Sequence, residues 1–177
     1  MQEIAMSLLD IVQNSIKALA TVIHIQMKDS QKENVIHIEV KDNGKGMDEE
    51  TLKRVTDPFF TTRTTRKIGL GIPLLKENVE TTGGYFHIES QLNQGTKLIC
   101  EYVKNHIDTP MMGDLVETLI TLIQGHENIQ FIFEYVCDDF EFVLNTQDIN
   151  DILEDVSIQE PAVILWLKEY IKEGLRK

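Results

Sequence analysis

Hydrophobic and polar residues follow two rhythms along this chain. Over residues 3–19 the apolar positions Ile4, Leu8, Ile11 and Ile16 fall at helical spacing. Asp10, Asn14 and Lys17 recur at i, i+4 and i+7, so they share a polar stripe on the same helix. At Val22 the period drops to two. Ile23, Ile25 and Met27 alternate with His24, Gln26 and Lys28, and residues 35–41 repeat the pattern with Ile36, Ile38 and Val40 inward. The polar run Asp29–Asn34 between them reads as a hairpin loop. Asp48 is placed to cap a short helix through Val55, with Glu49 and Glu50 favourable in its first turn.

Residues 57–68 lose all apolar periodicity and are rich in Thr and Arg, the pattern of a loop. Helical spacing returns over 69–82, with Pro73 in the first turn and Gly83-Gly84 as a stop. Two strands follow at 85–90 and 96–103, joined by Asn93-Gln94-Gly95. Beyond them the spacing predicts a helix over 114–124, a hairpin of 129–136 and 140–145 turning at Asp138-Asp139, and helices near 147–154 and 160–173. This order implies an α+β protein, a two-layer α/β sandwich with helices on one face of a mixed sheet.

Charge divides the chain. Residues 104–177 hold fifteen Asp/Glu against five Lys/Arg, while the whole chain carries a net charge of -12. The break suggests a unit at 1–103 and an acidic α+β extension at 104–177. Such acidity argues against nucleic-acid or anionic-membrane partners, which need basic surface. Cys100 and Cys137 are isolated in apolar runs and form neither a disulfide framework nor a zinc pattern, so a reducing cytoplasm is expected. No signal peptide or membrane-length apolar run is recognisable.

The chemistry concentrates at Asp42-Asn43-Gly44-Lys45-Gly46-Met47, where the second strand ends. A carboxylate there can accept from the exocyclic amine of an adenine, and glycines at 44 and 46 let backbone come close. An Asn-Gly turn after a strand offers a purely structural alternative.

Four boxes in order resemble those of the GHKL superfamily, which includes DNA gyrase B, heat-shock chaperone ATPases, histidine kinases and MutL. The similarity spans about residues 2–103 and implies the Bergerat ATP-binding sandwich. Residues 9–18, Leu-Asp-Ile-Val-Gln-Asn-Ser-Ile-Lys-Ala, are similar to its asparagine box. The resemblance makes Asn14 the ligand of a Mg²⁺ bridging the ATP phosphates. Asp10 takes the place of the general base in hydrolysing members, one methylene shorter than their glutamate. Lys17 matches a phosphate-directed lysine of histidine kinases. Asp42, Gly44, Gly46 and Met47 match the adenine box.

Asp57-Pro58-Phe59-Phe60-Thr61-Thr62-Arg63 resembles the kinase phenylalanine box at the base of a lid, to which Arg63, Arg66 and Lys67 add cations. Gly69-Leu70-Gly71 resembles the second glycine box, where helix-start N–H groups meet phosphate. In kinases a further glycine and a threonine precede this pair; Lys67 and Ile68 stand there instead. Gly95-Thr96 matches the last box, whose threonine hydroxyl joins the hydrogen bonds around the adenine.

The implied cofactors are ATP and Mg²⁺. The implied activity is kinase-like transfer of phosphate to a separate protein. A slow MutL-like ATPase switch and a non-catalytic nucleotide sensor are the alternatives. A phosphoacceptor helix ahead of the asparagine box is not expected, and His106 and His126 are weak substitutes for one. A protein partner is expected, with the acidic extension as a candidate docking surface; oligomerisation stays open.

Overall fold

Helical spacing over the first residues produces α1 (Ile4–Lys17), whose apolar stripe is buried. The alternating runs become the antiparallel pair β1 (Val22–Ser30) and β2 (Val35–Asp42). A computed structural model describes residues 3–57 and 71–176. In it α2 (Glu49–Val55) and α3 (Gly71–Thr81) precede a second antiparallel pair, β3 (Tyr85–Gln91) and β4 (Gly95–Val103). The helix expected from residue 69 is described from Gly71 onward. Asp48 caps α2 as its spacing predicts, its carboxylate accepting from the Thr51 N–H at 2.7 Å. That bond holds the Asp48 carboxyl below the ordinary aspartate range.

The residues after Lys104 add α4 (Leu115–Gly125), β5 (Gln130–Cys137), β6 (Phe140–Asn145), α5 (Thr146–Leu153) and α6 (Pro161–Gly174). The six strands form one sheet in the order β3-β4-β2-β1-β5-β6. β5 lies parallel to β1, with Ile25 opposite Phe133, and the remaining neighbours are antiparallel. The inward residues Ile25, Ile38, Cys100 and Phe133 share one buried cluster with Leu8 of α1, Leu119 of α4 and Leu167 of α6. Burial of this apolar surface is the main stabilising term.

The other sheet face is polar and paired across strands. His24 Nε2 lies 2.9 Å from a Glu134 carboxylate oxygen, His37 Nδ1 lies 3.2 Å from Glu101, and the Lys97 ammonium lies 3.1 Å from Glu39. These histidines are cross-strand partners on the outer face.

One junction bears on the site. The N-terminus of α1 has no side-chain cap. Its first N–H groups are instead satisfied by backbone carbonyls of the segment after β4, Ile4 donating to Met111 and Ala5 to Met112, both at 2.9 Å. The start of the asparagine-bearing helix is thereby tied to the connection leading into the acidic extension. Among the described residues, no helix is long and apolar enough to cross a membrane.

Candidate functional site

The polar stripe of α1 and the end of β2 converge. Between them, α2, the start of α3 and β4 lies a cavity of about 420 Å³. Asp10, Asn14 and Lys17 all line it, as do Asp42 at the end of β2 and Gly46 and Met47 in the loop after it. A helix lying over a strand end brings together residues that the sequence separates by 25 to 37 positions.

Asp42 is the most constrained side chain here. It is buried, and one carboxylate oxygen accepts from the Ser15 hydroxyl at 2.5 Å. The other accepts from the Gly44 N–H at 2.8 Å and the Thr96 N–H at 3.3 Å. Three donors around one buried carboxylate satisfy it and fix its position. Ser15 sits one residue past Asn14, on the buried side of α1. Sequence reasoning passes over it because attention falls on the polar stripe. A small hydroxyl residue within the apolar stripe, next to the box asparagine, is the signal that would have found it.

Gly44 and Gly46 have packing reasons of their own. A Cβ on Gly44 would stand 2.7 Å from the Ala18 carbonyl oxygen at the end of α1. Gly46 has φ +63°, and a Cβ there would fall 1.9 Å from the Gln91 carbonyl oxygen. The glycines thus let the adenine-box loop press against α1 and the β3–β4 turn. Gly71, by contrast, meets nothing within 4 Å among the described residues and borders the cavity.

Thr96 lines the cavity. Its N–H, rather than its hydroxyl, reaches Asp42, while the hydroxyl lies 2.9 Å from Ser90 Oγ. Ser90 in turn accepts from the Met47 N–H at 2.8 Å and donates to the Gly95 carbonyl at 2.9 Å. Ser90 therefore ties the loop bearing Met47 to the β3–β4 turn, a role not visible in its alternating strand setting. Apolar walls come from Val40, Ile88, Leu98 and Ile72. A pocket that is apolar at its sides, with one buried carboxylate and a row of polar groups at one edge, suits a planar heterocycle carrying a charged tail.

Phe59, Thr61, Thr62, Arg63, Arg66, Lys67, Gly69 and Leu70 lie outside the described residues. Among the described residues, no cluster of three His, Cys, Asp or Glu side chains could hold a metal on its own. A magnesium held here would depend on an amide oxygen such as that of Asn14 together with ligand oxygens, the donor set a hard cation accepts.

Residues 2–106 match the family model of the histidine kinase-, DNA gyrase B- and HSP90-like ATPases. The chain belongs to this family. Among curated relatives, the sensor histidine kinase YvrG of Bacillus subtilis (strain 168) is 35% identical over 95 residues, covering 51% of this chain and 16% of that one. A protein of Shewanella frigidimarina (strain NCIMB 400) is 36% identical over 99 residues, covering 55% of this chain and 15% of that one. The chain thus spans about a sixth of the length of these relatives. Among solved structures, the Aquifex aeolicus MutL ATPase domain complexed with ADP aligns at TM-score 0.56 and 13% identity, covering 87% of this chain and 70% of that one. The N-terminal domain of a DNA repair protein aligns at TM-score 0.58 and 17% identity, covering 82% of this chain and 53% of that one. Both share the fold of this GHKL ATPase-family member. The alternating strands and ordered boxes had implied the same sandwich.

Proposed function

We propose that this protein binds Mg·ATP in the cavity between α1 and β2 and transfers the terminal phosphate to a separate protein. The observation that carries the reading is the buried Asp42 carboxylate, held by Ser15, Gly44 and Thr96 in the same cavity that Asn14 and Lys17 line. Asp42 accepts from the purine amine, which selects adenine over a 6-oxo purine because a carboxylate has no proton to give. Asn14 offers its amide oxygen to magnesium, whose chemistry is to shield phosphate charge. Lys17, one turn further along the exposed stripe, places a cation beside the phosphates. The similarity to a sensor histidine kinase, together with Lys17, favours transfer to a protein over hydrolysis.

A second reading rests on Asp10, which lines the same cavity one helical turn before Asn14. There it can orient or deprotonate a water, giving a slow ATPase.

Isothermal titration with Mg·ATP, followed by a phosphate-release assay on the same sample, tests both. Binding that falls at least about a hundredfold in Asp42→Asn supports the site; unchanged binding removes it. Phosphate release abolished in Asp10→Asn with binding intact favours the ATPase. Binding without release counts against the ATPase and fits either transfer or a non-catalytic sensor.

A further inference from the structure

Lys45 lines the nucleotide cavity from the loop after β2. The backbone on both sides of it is pinned. Its N–H donates to the Ala18 carbonyl at 2.8 Å, and its own carbonyl accepts from the Asn93 N–H at 2.7 Å. Both backbone polar groups are therefore engaged by the scaffold, which leaves the side chain as what Lys45 can offer a ligand. The bond to Ala18 sets it beside the end of α1, where Lys17 is the last helical residue and also lines the cavity.

In a chain of net charge -12, lysines find acids easily. Lys28 pairs with Glu33, Lys97 with Glu39, Lys104 with Asp29 and Lys168 with Glu117. Lys17 and Lys45 pair with no carboxylate among the described residues. Lys41 and Lys53 are likewise unpaired there, but they are not part of the cavity wall. The buried acid of the cavity, Asp42, takes its three donors from Ser15, Gly44 and Thr96, none of them a lysine. Two unneutralised cations, anchored to neighbouring backbone on one cavity wall, match an anionic group of the ligand. We infer, on the adenine-nucleotide reading proposed above, that Lys45 is a second phosphate-binding cation beside Lys17, so that affinity rises with the number of phosphates on the nucleotide. A lysine acts here as a point charge on a flexible stem, and its contribution depends on charge more than on exact geometry.

The full chain is titrated calorimetrically with adenosine, ADP and ATP in the presence of Mg²⁺, as wild type, Lys45→Met and Lys45→Arg. Methionine keeps much of the stem and removes the charge. ATP should bind at least about fivefold more weakly to Lys45→Met, ADP should lose less, and adenosine should lose nothing. Lys45→Arg should bind all three like the wild type. Added salt should weaken ATP binding less steeply in Lys45→Met, because one screened contact is gone. Thermal melts should coincide, since the Lys45 ammonium holds no other part of the fold. Equal losses for adenosine and ATP would overturn the inference by placing Lys45 on the base, and so would ATP binding unchanged in Lys45→Met. Asp42→Asn, titrated in parallel, separates the two levels. Where it weakens adenosine and ATP alike while Lys45→Met weakens neither, the nucleotide site stands and the role of Lys45 falls. Where Asp42→Asn leaves every ligand unaffected, the nucleotide site falls and Lys45 with it.

Discussion

The Ser15 hydroxyl donates to the buried Asp42 carboxylate at 2.5 Å, joining the helix that carries Asn14 to the strand end that carries the adenine box. One hydrogen bond thus sets the relation between the two halves of the proposed nucleotide site.

Replacing Ser15 with Ala should weaken Mg·ATP binding about tenfold, because a hydrogen bond to a charged group is worth roughly 1.5–3 kcal/mol and part of that loss is recovered by water. Titration calorimetry reads the affinity, and a thermal melt shows whether the fold survives. Unchanged affinity would mean that Gly44 and Thr96 hold Asp42 unaided.

Gly46 and Gly71 should respond unequally to alanine. At Gly46 the new methyl meets the Gln91 carbonyl oxygen at 1.9 Å on a backbone with φ +63°, and a loss of about 2–4 kcal/mol is expected. At Gly71 the same change meets nothing within 4 Å among the described residues, at a helix start, and should stay within about 0.5 kcal/mol. Urea unfolding of the two variants side by side makes the comparison.

Asp138 links two hairpins. Its carboxylate accepts from the Ser30 hydroxyl at 2.7 Å and from the Gln31 and Lys32 N–H groups at 3.4 and 3.3 Å. The Ser30 hydroxyl, chiefly, holds its carboxyl below the ordinary value of 3.8. A depressed carboxyl contributes its stability above the unfolded value and loses it as pH falls through the folded one. Asp138→Ala should therefore lower the melting temperature at neutral pH, and the difference should close below about pH 4. A gap that persists at still lower pH would point instead to strain at residue 138, whose left-handed backbone (φ +47°) alanine tolerates less well than aspartate.

Cys100 sits in the centre of β4, where burial pushes its thiol up to about 12. The nucleophile is the thiolate, so iodoacetamide at pH 8 should leave Cys100 unmodified in the folded protein and alkylate it once urea unfolds the chain. Peptide mass mapping distinguishes the two. Modification of the native protein would show that β4 opens.

Local pattern alone determined the elements. Period-two runs at 22–28 and 35–41 became β1 and β2, and the Asp48 cap and the Asp138-Asp139 turn stand where their residue types put them, because backbone sterics and side-chain burial act over a few residues. The stripe of Asp10, Asn14 and Lys17 was legible for the same reason, since helical periodicity alone puts those three on one side. Tertiary structure decided what the stripe faces. Ser15 and Ser90 became site-building residues only when strands distant in sequence met them. The glycines of the adenine box are required by contacts with Ala18 and Gln91 that no spacing within the box reveals. The placement of β5 parallel to β1, which carries the acidic segment into the same core, likewise depends on long-range pairing. A chain records its local conformational preferences residue by residue, whereas partners across a sheet are selected by the packing of the whole core.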